Sequence, residues 1–209
     1  MSTTQTSSSH GKLIVAVIAA ALVVVLALVS AFIWPGWALN KGDEASTQGT
    51  TTSQGASQDA SEPTTPSIDA VALPDDVSEL LKAMPDSVLN FARTKADAST
   101  SWSGASPVEE YTLTYSTGKD GQDITLKVAQ WSQSDDAQSQ YDNLTGAMTG
   151  KELGGGNVKV SGEATGAYSA KTDPDDETKA IAVWRNDTVV FQATGAKDSV
   201  QRFYQQFPL

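Results

Sequence analysis

The sequence predicts an α+β domain, one antiparallel β-sheet with helices packed on a face, preceded by a transmembrane helix and a disordered linker. Three observations predict it. The run from Leu13 to Ile33 is apolar and uncharged, and residues 40–70 are almost entirely Ser, Thr, Gly, Gln, Ala and acidic residues. Beyond about residue 73, helical stripes and strand-like alternation follow one another as helix, strands, helix, strands, helix, with hairpin turns between the strands. The resulting division is a short cytoplasmic tail (1–12), a transmembrane helix (13–33), a flexible Ser/Thr/Gly/Gln-rich linker (34–72) and an extracytoplasmic domain (73–209).

A helix rising ~1.5 Å per residue needs roughly 20 residues to cross ~30 Å of hydrocarbon. LIVAVIAAALVVVLALVSAFI is of that length, with Ser30 its one polar residue. Val29 and Ala31 would suit signal-peptide cleavage. The h-region of a signal is shorter, at ~7 to 15 residues, and its n-region is clearly basic, whereas only Lys12 and the amino terminus supply charge here. Trp34 and Trp37 flank Pro35 where a headgroup boundary would lie. Lys12 and His10 precede the run and all 25 acidic residues follow it, which favours a short tail inside and the domain outside. The small-residue pairs Ala16/Ala20 and Ala27/Ala31 would allow close helix packing, but a helix this rich in alanine produces them by chance.

The linker cannot bury enough apolar surface to offset the entropy of ordering, so it is expected to be a flexible spacer. In the domain, LPDDVSELLKAMP reads as a short helix, capped by Asp76 with Glu79 three residues on and ended by Pro85. Val88 to Ala98 reads as a strand. Tyr111, Leu113 and Tyr115 alternate with Thr112 and Thr114; Ile124, Leu126 and Val128 repeat the pattern after a Gly118–Gly121 turn, giving a β-hairpin. From Ser134 to Met148, Ala137, Tyr141, Leu144 and Met148 form one helical stripe, with Ser132 or Ser134 as cap and Asp135 and Asp136 favoured by the helix dipole. Gly154 to Gly156 is expected to break the chain before a short strand at Val158 and Val160, and Ala167 to Thr172 is another strand. KAIAVW and VVFQA form a second hairpin, with Asn186 and Asp187 taking the positive φ of a tight turn. A final helix from about Lys197 presents Val200, Phe203, Tyr204 and Phe207 on one face.

Composition excludes more chemistry than it suggests. The single histidine, His10, lies before the span, and there is no cysteine. Thiol nucleophiles, Ser-His-Asp triads, imidazole zinc sites and disulfides are therefore excluded from the domain, as is a lipid-modified amino-terminal cysteine. A Cys-free extracytoplasmic domain suits a bacterial envelope better than an animal cell surface. The formal net charge of −11 disfavours nucleic acid and anionic lipid as partners.

Ser116-Thr117-Gly118-Lys119 matches S-x-x-K, but in a hairpin turn without the S-D-N or K-T-G partners that chemistry requires. Glu109 and Glu110 are adjacent on a strand and so point to opposite faces. Asp173, Asp175, Asp176 and Glu177 cluster around Pro174 but lack the glycine and distal glutamate of a calcium loop. Gly154–Gly156 lacks the G-K-[ST] of a phosphate loop. Asn143-Leu144-Thr145 and Asn186-Asp187-Thr188 are formal glycosylation acceptors. Trp102, Trp131 and Trp184 read as core, with Trp102 the one expected to be exposed. No catalytic, cofactor-binding or metal-ligating residue is assigned, no cofactor is expected, and the chain is read as not an enzyme.

The Ala/Val-rich anchor, the Ser/Thr/Gly/Gln tether and a Cys-free acidic domain ending in TVVFQATGAKDSVQRFYQQFPL resemble single-pass envelope proteins of actinobacteria. That resemblance implies a place in the plasma membrane of a Gram-positive-like bacterium, and it carries over no functional residue. The expected function is a membrane-anchored, extracytoplasmic, non-catalytic binding or interaction protein. It would hold the bilayer through residues 13–33 and meet an envelope protein, a wall polymer or a small ligand through its domain. A carboxylate-dependent enzyme acting on the cell wall and an accessory subunit of a membrane complex are the alternatives.

Overall fold

The computed structural model describes residues 62–208 other than Ser161. The expected tail, transmembrane helix and most of the linker lie outside the described residues. Eight strands form one antiparallel sheet: β1 (Ser87–Val88), β2 (Phe91–Ala98), β3 (Glu109–Ser116), β4 (Ile124–Gln130), β5 (Glu152–Val160), β6 (Glu163–Thr172), β7 (Lys179–Asn186) and β8 (Val189–Ala196). Among the described residues three α-helices accompany them: α1 (Glu79–Ala83), α2 (Ser134–Gly146) and α3 (Lys197–Gln205). The spatial order β1-β2-β3-β4-β8-β7-β6-β5 joins two four-stranded meanders side by side. Helix α2 carries the chain from the centre of the sheet at β4 to its far edge at β5, and the second meander returns inward until β8 pairs with β4.

Helices cover both faces of the sheet, where the sequence was read as covering one. Leu80 and Leu81 of α1 and Val200 and Phe203 of α3 pack with Leu113, Tyr115, Leu126, Trp184 and Phe191. Ala137 and Tyr141 of α2 pack on the opposite face with Ala129, Trp131, Val183 and Val190. The reason is visible in the central strands. In β7 and β8, successive residues are apolar (Ala182, Val183, Trp184; Val189, Val190, Phe191), and strand periodicity sends neighbours to opposite faces. Both faces there need a cover.

Local chemistry accounts for the remaining differences. Ser78, not Asp76, caps α1: its Oγ accepts from the Leu81 amide at 3.2 Å. Met84 turns extended before Pro85, so the helix is a single short turn. Gln133 stands at the N-cap of α2 with no side-chain cap bond, while Asp135 and Asp136 occupy its first turn as expected. The Gly154–Gly156 run does not break the chain but lies within β5, paired with Ala170, Ser169 and Tyr168 of β6. Of Asn186 and Asp187, only Asp187 has a positive φ, at 50°. Trp102 is buried rather than exposed. It stacks on Trp131 with ring centroids 6.3 Å apart, and the buried Glu110 carboxylate accepts from its backbone amide at 2.9 Å and from Ser99 Oγ at 2.7 Å.

Chain upstream of residue 73 joins the sheet through a buried guanidinium. Arg93 is 1 % exposed. Its Nη1 donates to the Met84 and Pro85 carbonyls, both at 3.0 Å, and its Nη2 donates to the Val71 carbonyl at 3.2 Å and to Asp86 Oδ1 at 2.7 Å. Backbone bonds from Val71 to Arg93 and from Arg93 to Asp86 close the same knot. Tyr115 donates to the Pro85 carbonyl at 2.8 Å, and burial holds its phenol pKa well above the usual range, so it remains a donor. Replacing Arg93 with Met orphans these acceptors and is expected to cost about 2–4 kcal/mol. Asp86→Asn, at an exposed partner, should cost less than about 1 kcal/mol. Urea unfolding of the two variants measures the difference, and equal losses would contradict this account of the knot.

Candidate functional site

A cleft lies on the α1/α3 face, toward the β5 edge of the sheet. Its volume is about 310 Å³, and Val158, Tyr168, Trp184, Tyr204, Gln205 and Phe207 line it. Each wall has a local cause. In β5, Gly154 and Gly156 present bare backbone where side chains would meet aromatic rings. A Cβ at Gly156 would lie 3.0 Å from the Tyr168 ring, and one at Gly154 would lie 3.2 Å from the Tyr204 hydroxyl. The glycines thus make room for two tyrosines whose ring centroids are 5.9 Å apart. Trp184 forms the floor, stacked on Phe191 at 4.9 Å, and Phe207 meets it edge-on at 5.2 Å. Tyr168, Tyr204 and Phe207 are half-buried, so their rings are shared between core and cleft.

Among the described residues, no charged side chain lines this cleft. Its side-chain polar groups include the two tyrosine hydroxyls and the Gln205 amide, whose Nε2 donates to Tyr204 at 3.5 Å. Gln205 also borders a second depression of about 380 Å³, lined by Glu62, Thr64, Leu89, Arg202 and Gln206. There the Arg202 guanidinium pairs with Glu62, donates to the Pro63 carbonyl at 2.8 Å and to Asn90 Oδ1 at 3.0 Å, and lies 5.7 Å from the centre of the Phe91 ring.

The motifs singled out in the sequence lie elsewhere. Ser116 Oγ accepts from the Gly118 amide, and Thr117 Oγ1 donates to Gln122 and accepts from the Lys119 amide; this S-x-x-K run is a hydrogen-bonded turn. Glu109 accepts from Tyr111 on one face of β3 while Glu110 holds Trp102 on the other. Asn143 lies in α2, and Asn186 is buried. Of the four acidic residues after β6, Asp173 and Asp176 bond within their own loop and Glu177 ties it to Lys151. Asp173 accepts from the Asp175 and Asp176 amides, Asp176 accepts from Thr178, and Glu177 pairs with Lys151. Among the described residues, no three His, Cys, Asp or Glu side chains converge as metal ligands would.

No family model matches the chain, and no curated protein matches it. A solved structure from Thermotoga maritima, described as a GTP binding regulator, is similar at 11 % identity with a TM-score of 0.36. The match covers 56 % of this chain and 78 % of that one, and nothing about function is carried over from it.

Asp176 provides a pH test of the acidic loop. The Thr178 hydroxyl, then the Thr178 amide, donate to its carboxylate and hold it below the usual carboxylate range, with Lys179 adding to the effect. A carboxylate whose folded pKa is depressed stabilises fully above its unfolded value of about 3.9, and that stabilisation fades as pH falls through the folded value. Thermal unfolding of wild type and Asp176→Asn should therefore differ by a constant amount near neutrality and converge below about pH 4. A gap that persists at low pH would contradict this.

Proposed function

We propose that the chain is a membrane-anchored, non-catalytic binding protein of the bacterial cell envelope whose extracytoplasmic domain takes a small ligand in the Tyr168/Tyr204 cleft. The observation that carries this reading is the cleft itself. It is an aromatic concavity with few polar groups, built from β5, β6, β7 and α3, on a domain that exposes few large apolar side chains elsewhere among the described residues.

The anchor rests on the run from Leu13 to Ile33, since no helix among the described residues is long and apolar enough to cross a membrane. Residues 62–71 support a shorter tether than composition suggested. Glu62 and Pro63 meet Arg202, Ser67 donates to the Thr117 carbonyl, and Val71 joins Arg93. About 28 residues then remain between the span and the first docked residue, and a Gly/Ser-type chain of that length would reach roughly 30 Å. The domain would sit close to the bilayer surface and within reach of partners there.

Protease added to intact spheroplasts tests this arrangement. The expected result is loss of the domain from outside, leaving a membrane-bound fragment that retains residues 13–33. Full protection of the domain, or release of a soluble protein lacking residues 13–33, would contradict it.

A further inference from the structure

The chemistry of the cleft walls narrows the ligand, on the premise that the cleft is the binding site. We infer that it accepts an alkylated ammonium group, a small organic cation bearing methyl groups rather than N–H donors. Of the six described residues that line it, four are aromatic: Tyr168, Trp184, Tyr204 and Phe207. Aromatic faces carry negative quadrupole density and attract a cation within about 6 Å of the ring centre. A sugar would also stack on such rings, but it would need a dense set of planar hydrogen-bonding side chains to match its hydroxyls. Among the described residues the polar side-chain groups of the lining are the Gln205 amide, two phenols and the Trp184 indole N–H, fewer than a sugar's hydroxyls require. A quaternary ammonium asks for no hydrogen bonds, so it loses none by entering.

Electrostatics point the same way. The chain carries a formal net charge of −11, a field that attracts cations and repels anions. Among the described residues the lining contains no Lys or Arg to oppose a cation, and Arg202 in the adjoining depression is paired with Glu62. The same face of the fold already seats an organic cation on an aromatic ring, the Arg202 guanidinium 5.7 Å from the centre of Phe91. An apolar neutral ligand would gain from burial in the cleft but nothing from the field.

The ammonium can arrive on a free solute or on a lipid headgroup, and one experiment separates the two sources. Full-length protein in dodecyl maltoside is titrated with choline and with its uncharged carbon isostere 3,3-dimethylbutan-1-ol, followed by tryptophan fluorescence and NMR shifts of the cleft rings. Choline is expected to saturate, with the isostere at least about tenfold weaker, the factor that 1.4 kcal/mol of cation–π attraction gives. Tyr204→Phe should retain choline binding and Tyr204→Ala should lose at least about tenfold. If the same shifts appear in nanodiscs of phosphatidylcholine without added choline, and not in phosphatidylglycerol, the source is the headgroup; if only added choline produces them, it is the free solute. Equal binding of choline and the isostere would overturn the cation and leave the cleft as a neutral apolar site. No shift with either compound would overturn both the cation and the cleft as the binding site.

Discussion

Phe203 is the contact on which the arrangement of the molecule turns. Its ring is fully buried and meets Tyr115 at 4.9 Å, Phe207 at 5.4 Å and Phe91 at 5.8 Å, so one side chain of α3 touches β2, β3 and the chain that follows the helix. Aromatic rings in offset or edge contact add to the stabilisation that their burial supplies. With Phe203 buried, its helix neighbours flank it on the same face. Arg202 is turned toward Asn90 and the incoming residues 62 and 63, and Tyr204 toward Tyr168 above the bare backbone of Gly154. The contacts with residues 62 and 63 and the wall of the cleft thus flank one buried ring.

The two cores divide the work. The α1/α3 face holds most of the aromatic rings and the cleft, and it takes in residues upstream of the sheet through Arg93. The α2 face is smaller and closes with Trp102 on Trp131, whose indole donates to the Ala105 carbonyl at 2.8 Å. Glu110 is a buried carboxylate with a structural duty, since it pins the Ser99–Trp102 loop over that second core. Buried polar groups are tolerated when they are hydrogen-bonded, and here the bonds hold a loop in place. In the acidic cluster after β6, the Asp173 and Asp176 carboxylates likewise accept from amides of their own turn.

Most of the elements were legible in the sequence wherever one face of a strand or helix is wet. The Tyr111/Leu113/Tyr115 and Ile124/Leu126/Val128 alternation gives β3 and β4, and the Val200/Phe203/Tyr204/Phe207 stripe gives α3. The second layer of helix was not legible as such, because KAIAVW and VVFQA lose their alternation when both faces are covered, and a hairpin of buried strands does not announce what covers it. Gly154–Gly156 misled for a related reason. Glycine is a poor strand former alone, but the ring of Tyr168 on the neighbouring strand occupies the space that side chains would fill. The cleft was missed with it. Tyr204 and Phe207 read as core, and the clue that they also face a cavity is the glycine run that ends twelve residues before Tyr168, a pairing that only register reveals.

The cleft therefore arises where a side-chain-free stretch of β5 meets the aromatic end of α3, and its neutral, ring-lined interior inside an acidic protein suits a methylated cation. The most direct measurement of that claim is the set of intermolecular NOEs between the methyl protons of bound tetramethylammonium and the protein. Cross-peaks to the ring protons of Tyr168, Tyr204 and Phe207 are the predicted result. Cross-peaks confined to surface carboxylate-bearing residues, with those rings silent, would contradict it.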